Sequence, residues 1–212
     1  MEEQLAGTIA PVLSVSLCPG ESIVAEAGEF SWMTDSIQMT ADSTAATEAG
    51  PDGGTETEQL LSTFTAKGTA GNIAFACKQP GRIMEVTVGP GTEYLVHRHG
   101  FMAGTPGVRV RAGFRQSFSV GIYSGEGFGL QRVSGDGRAW IELAGDAVRI
   151  ELAVGESLRA HPGHVGMFAA SAAFQLVRVP GITNRYFGPE AHHFAVLSGP
   201  GTVWLQSMPK IT

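Results

Sequence analysis

Positive charge is missing from the first third of this chain. No lysine or arginine precedes Lys67, while eleven acidic residues lie between Glu2 and Glu58. Only three lysines occur in all, Lys67, Lys78 and Lys210, and the net charge is -6. A chain so poor in lysine lacks the repeated basic surface that nucleic-acid binding needs, so no nucleic-acid partner is expected. Cysteine is equally scarce: Cys18 and Cys77 stand without CxxC spacing, which indicates neither a disulfide framework nor a zinc knuckle. No run approaches the roughly 18 apolar residues of a membrane-spanning helix, so no integral membrane segment is expected. The opening Met1-Glu2-Glu3-Gln4 is acidic where a secretory signal is basic. These absences point to a cytoplasmic protein with two inert thiols. Nucleophilic catalysis also lacks its parts, with no Gly-x-Ser-x-Gly elbow and no histidine near either cysteine in sequence.

Glycine, by contrast, is abundant. The 29 glycines carry no collagen period and read as turn and bulge positions between many short strands. Apolar residues make up 43%, enough to build a core. Two patterns recur. An apolar strand, a Gly-containing turn and a second strand occur as Val15–Gly28, Val86–Val96 and Ile150–Leu158, with turn glycines Gly20, Gly91 and Gly155 spaced by 71 and 64 residues. A second set, starting at Gly71, Gly137 and Gly201, is spaced by 66 and 64. Two patterns sharing one period predict an all-β chain of three repeats, at 8–78, 79–145 and 146–212, forming a single domain over 1–212.

Pro19-Gly20 suits the centre of a type II turn, where proline presets φ and glycine supplies a positive φ. The flanking segments alternate with period two. Val108, Val110 and Ala112 oppose Arg109 and Arg111, and Val148, Ile150, Leu152 and Val154 oppose Arg149 and Glu151. Thr34 to Gln59 departs from this pattern and reads as a long acidic insertion in the first repeat, followed by a weakly signalled helix over Thr57 to Phe64.

The Pro19-Gly20-Glu21 turn, Ala25-Glu26-Ala27-Gly28, Gln79-Pro80-Gly81-Arg82-Ile83, Gly125-Glu126-Gly127-Phe128-Gly129-Leu130, Gly135-Asp136-Gly137 and Gly199-Pro200-Gly201-Thr202-Val203-Trp204-Leu205-Gln206-Ser207 resemble the altered-inheritance-of-mitochondria protein 24 family. The resemblance implies a fold similar to the tryptophan RNA-binding attenuation protein, with three short double-stranded β-helix units per chain. It also implies homotrimers whose nine units form a ring. It carries over no catalytic residues and no cofactor. The mitochondrial name of the fungal branch is not transferred, because the chain has no Arg-rich amphipathic presequence.

Six histidines are the candidates for chemistry. His97 and His99, two apart, would share one face of a strand, and Gly91-x5-His97-x-His99 is similar to the start of the first cupin metal motif. His161-Pro162-Gly163-His164 offers His164 as a further ligand. A metal needs three or four converging donors, and the expected glutamate falls near Ala103 or Gly104, which cannot ligate. The reading is therefore no metal, with His97, His99 and His164 as the candidates to test. His192-His193 would point to opposite faces of a strand. Gly125–Gly129 lacks the lysine of a phosphate loop and reads as a turn. Glu142 and Asp146 are expected to be solvated on either side of a Gly145 turn. Arg98, Arg109, Arg111 and Arg115 form the one local basic cluster, fit for an anion or an interface.

No complete catalytic constellation emerges. The expectation is a non-enzymatic, ring-forming scaffold that meets copies of itself and an unknown partner or small ligand. The alternatives are a cupin-like metalloenzyme using His97 and His99, and a small-ligand sensor with sites between repeats.

Overall fold

The computed structural model describes residues 1–26, 28–41, 47–49, 55–57, 59–116, 128–178 and 193–209. The chain begins with β1 (Glu2–Ala6), β2 (Val12–Leu17), β3 (Ser22–Ala25), β4 (Trp32–Met33), β5 (Ile37–Ala41), β6 (Thr47–Ala49), β7 (Thr55–Thr57), β8 (Ser62–Ala66) and β9 (Gly71–Ala76). It continues through β10 (Gly81–Val88), β11 (Tyr94–His97), β12 (Phe101–Gly104), β13 (Val108–Gln116), β14 (Phe128–Gly135) and β15 (Gly137–Ala144). The last strands are β16 (Ala147–Leu152), β17 (Ser157–Ala160), β18 (Val165–Ala169), β19 (Ala173–Arg178), β20 (His193–Ser198) and β21 (Gly201–Gln206). A 3-10 turn at Pro162–His164 is the only helical element among the described residues. The fold is all-β, as its period-two alternation predicts.

The turn chemistry read from the sequence forms the turns. Gly20, Gly91 and Gly155 sit at φ of 86°, 77° and 85°. A Cβ at any of them would meet nothing within 4 Å, so the requirement is backbone conformation and not space. Each turn is closed by a backbone bond, Glu21 N to Cys18 O, Thr92 N to Gly89 O and Glu156 N to Ala153 O. Val154, expected on a buried face, stands at the tip of the third turn and is 82% exposed. Val148 is exposed as well, because β16 is the outer strand of its sheet.

The second glycine set fixes register. β2 with β9, β10 with β15 and β16 with β21 are antiparallel pairs in which Gly71, Gly137 and Gly201 lie opposite Leu17, Val88 and Leu152. Each of those partners is three residues before its turn glycine. The described strands form sheets in the orders β1-β2-β9-β4, β10-β15-β12-β3-β8-β5, β13-β14-β11-β18-β21-β16 and β17-β20-β19, with a separate β6–β7 hairpin. Apolar side chains gather in three clusters, one around Phe64, Phe75 and Trp140, one around Val96, Phe101 and Met167, and one around Phe128, Phe168 and Leu197.

Two expectations need correction. Thr34 to Ala41 is not insertion, because β5 pairs with β8 and buries Ile37. The helix over Thr57 to Phe64 does not form. Ser62–Ala66 is instead a strand paired on both sides, whose alternation of buried Ser62, Phe64 and Ala66 needs period two. Residues 42–46, 50–54 and 58, where the remainder of the acidic segment falls, lie outside the described residues.

Candidate functional site

Polar groups are buried where one sheet passes into the next. Glu142, expected in solvent, is 2% exposed. β15 lies between β10 and β12 with both faces covered, so alternation along it does not alternate burial. The Glu142 carboxylate accepts the backbone N–H of Lys78 at 3.2 Å. Gln206 repeats this on β21, accepting Ala144 N–H at 3.1 Å while its amide donates to the Gly163 carbonyl at 2.8 Å. Glu142 and Gln206 each lie five residues after their strand-opening glycine, and Lys78 and Ala144 each lie seven after the preceding one. These side chains satisfy backbone groups that burial would otherwise leave unpaired. Asp146 is exposed, as expected, and holds Arg82 at 2.8 Å.

A second buried group surrounds Gln131, whose amide donates to Glu26 at 2.8 Å and to Gln59 at 2.7 Å. Beyond Glu26, buried Glu29 pairs with Lys78. Burial raises the Glu26 carboxyl above its usual range. The Gln131 bond opposes this, the Glu29 charge adds to it, and Lys78 and Arg98 oppose it. A carboxyl whose folded value is raised contributes stability fully present below its unfolded value, near 4.5, and lost as pH rises through the folded value. Glu26→Gln is therefore expected to stabilise the protein at pH 7, with the gain vanishing below about pH 4. Thermal melts across that range check it, and a gain independent of pH would contradict it.

His97, His99, His161 and His164 fall at chain turns, while His193 opens β20 opposite Arg178. β11 ends at His97, and Arg98 and His99 form a turn closed by Gly100 N to His97 O at 2.7 Å, with His99 at φ 60°. His97 and His99 therefore do not share a strand face, because the strand stops between them. His97 is 3% exposed, donates from Nδ1 to the Arg98 carbonyl at 2.6 Å, and meets the Phe128 ring edge-on at 6.3 Å. His164 donates from Nδ1 to the Gln206 carbonyl at 2.8 Å. Partial burial and the charge of His164 hold His161 below the ordinary imidazole value. Among the described residues no group of three His, Cys, Asp or Glu is placed to hold a metal ion. Like turns join β3 to β4 and β17 to β18, closed by Glu29 N to Glu26 O and by His164 N to His161 O.

Arg109 and Arg111 keep the shared face of β13 opposite buried Val108 and Val110. Arg111 lies across the ladder from Arg132, which pairs with Glu93 at 3.0 Å. Arg98 belongs to the turn after β11, beside Gly129, and acts on Glu26. The side chain of Arg115, His192 and the Gly125–Gly127 turn lie outside the described residues. Cys18 and Cys77 are free thiols. The buried amide and carboxylate bridges had no sequence signal, apart from Glu142 and Gln206 recurring at one offset from the period glycines.

This geometry holds strands and seams together. The model of the Mitochondrial biogenesis AIM24 family matches residues 4–208. The chain belongs to the AIM24 family. Its fold is similar to the crystal structure of a Streptococcus pyogenes protein, at 15% identity and a TM-score of 0.74, covering 98% of this AIM24-family chain and 94% of that one. At that identity the likeness speaks for the fold alone. No curated protein matches the sequence. No described helix of this AIM24-family chain is long and apolar enough to cross a membrane.

Proposed function

We propose that this AIM24-family chain is a non-enzymatic, cytoplasmic scaffold in which three like β units, at 8–78, 79–145 and 146–212, join head to tail and close with two further copies into a ring. The observation that carries this reading is the way sheets cross from one unit to the next. β3 of the first unit pairs with β12 of the second, Val24 opposite Gly104. β11 of the second pairs with β18 of the third, Leu95 opposite Phe168. Val24 and Leu95 are each four residues after their turn glycine. Gly104 and Phe168 each face the residue two after their second glycine, Ala139 and Val203.

The same rule applied once more leaves two complementary ends. β17 is an outer strand and places Arg159 four residues after Gly155. β4 is an outer strand and places Met33 opposite Ile73, two after Gly71. A head-to-tail contact whose two surfaces lie on opposite ends of the chain propagates until it closes. Pairing also removes the exposed edges that invite misassembly. Three copies is the number that the family resemblance implies.

The joint therefore sets Arg159 against Met33 of the next copy. Antiparallel partners have Cα atoms about 4.5–5.5 Å apart, inside the disulfide window of about 4.4–6.8 Å. With Cys18 and Cys77 changed to serine, Met33→Cys combined with Arg159→Cys is expected to give covalent trimers on oxidation, and neither change alone to do so. Light scattering behind size exclusion gives the mass of the unmodified chain. A monomer at micromolar concentration would refute the ring.

A further inference from the structure

β1 shows what a strand looks like when it is laid between two units. It pairs antiparallel with β2 from Glu2 opposite Ser16 to Ala6 opposite Val12. Its far side reaches the second unit, where Glu3 pairs with Arg138 on β15 and Met1 packs on the cluster holding Ile83 and Trp140. The Arg138 guanidinium lies 5.3 Å from the centre of the Trp140 ring, and that ring is 1% exposed.

The corresponding place between the second and third units is an open groove of about 620 Å³. One wall is β10, the outer strand of its sheet, contributing Arg82, Ile83 and Met84. The floor is Trp204 with Arg149, and the end is closed by Leu5 at the tail of β1. Trp204 is the counterpart of Trp140. It faces Arg149 across the β16–β21 ladder as Trp140 faces Glu85 across the β10–β15 ladder. Arg149 stands 5.9 Å from the Trp204 ring, so a guanidinium and an indole sit together in both places. The difference is cover. Trp140 is fully buried, with Met1 packed on its cluster and Glu3 of β1 on Arg138, whereas Trp204 is only half-buried and no described strand lies along the outer edge of β10 beyond Gly81, whose N–H is bonded to Ile9 O.

We propose that this groove accepts an extended segment of a partner protein, added as a strand along β10, with an acidic side chain on Arg149 and an apolar one on Trp204. Backbone bonds to an open edge supply affinity, and alternate side chains supply selectivity. The occupant has the chemistry of Met1-Glu2-Glu3, in which an apolar side chain and a carboxylate stand two residues apart and so share one face of an extended segment. Charge supports this choice, since the two charged residues lining the groove are both arginines. Arg82 pairs with Asp146 and Arg149 with Glu151, but these four side chains are exposed, and such pairs open at little cost. The inference rests on the equivalence of the units and not on ring closure. A trimer that ignored the peptide would sink the groove alone, and a monomer that bound it would sink only the ring.

The test titrates the full-length protein into a fluorescein-labelled peptide of residues 1–8, read by anisotropy. Saturable binding is expected, weakened at least tenfold by Arg149→Ala and by Trp204→Ala, and by replacing both peptide glutamates with glutamine. Arg149 is exposed, so its variant folds, and a circular dichroism spectrum confirms that it has. Arg138→Ala, which disturbs the place filled by β1, is expected to leave the affinity within twofold. Three results overturn the proposal: no saturation at millimolar protein, binding indifferent to both groove variants, or sensitivity to Arg138→Ala alone, which means exchange with β1.

Discussion

Trp32→Asp will separate the assembly into single chains while leaving each chain folded. The indole is 55% exposed in the isolated chain, so the change empties no core position. At the proposed joint the same side chain becomes covered. Trp32 lies opposite Ala74, three residues after Gly71, as Met167 lies opposite Trp204, three after Gly201. Met167 faces Val96 across the joint between the second and third units, and both are fully buried. By that equivalence Trp32 meets Ala160 of the next copy. A tryptophan buries roughly 150–250 Å² in all. Covering the exposed half, about 100 Å² at roughly 25 cal/mol per Å², contributes about 2.5 kcal/mol per joint. An aspartate there loses that term and must also be desolvated, so the dissociation constant rises by about 100-fold or more. Light scattering is expected to show one-chain mass at micromolar concentration, with an unchanged circular dichroism spectrum. Persistence of the oligomer would place the joint elsewhere than β4.

Trp140→Ala will cost far more stability than Trp204→Ala, although the two residues occupy like positions in their strands. Trp140 is a fully buried member of the first core cluster, on which Met1 packs, and the Arg138 guanidinium lies over its ring. Truncating a fully buried large aromatic costs about 3–5 kcal/mol, because the space does not close. Trp204 already meets solvent in the groove, so its removal forfeits a smaller contact, about 1 kcal/mol. With a urea dependence of about 1–3 kcal/mol per molar, the first change lowers the midpoint by more than about 1 M and the second by less than half of that. Equal losses would mean that the Trp140 indole is no better sealed than that of Trp204. The same comparison in saturating peptide has its own signature, because a strand in the groove makes Trp204 matter as Trp140 does.

Much of the architecture was legible along the chain because the signals are local. A glycine at positive φ closes a hairpin wherever it stands, and period-two alternation marks a strand that has one covered face. Gly20, Gly91 and Gly155 therefore marked three turns, and Gly71, Gly137 and Gly201 marked the strands that pair with them at one register. Three features escape such local signals for one reason. Trp140-Ile141-Glu142-Leu143 gives no sign that β15 is covered on both sides, so Glu142 looks solvated along the chain. The spacing of His97 and His99 suggests one strand face and does not reveal that the strand ends between them. Thr34 to Ala41 is polar and resembles insertion, because the pairing of β5 with β8 spans a long interruption.

By itself, then, the sequence determined an all-β chain, the sites of its turns and the period of its glycines. Each of those depends on backbone preferences within a few residues. The tertiary structure alone decided which strand of one segment meets the next, which polar side chains are sealed at the crossings, and which edges stay open. Those outcomes depend on contacts between residues more than sixty positions apart, such as Lys78 with Glu142 and Ala144 with Gln206, and no short-range pattern encodes them.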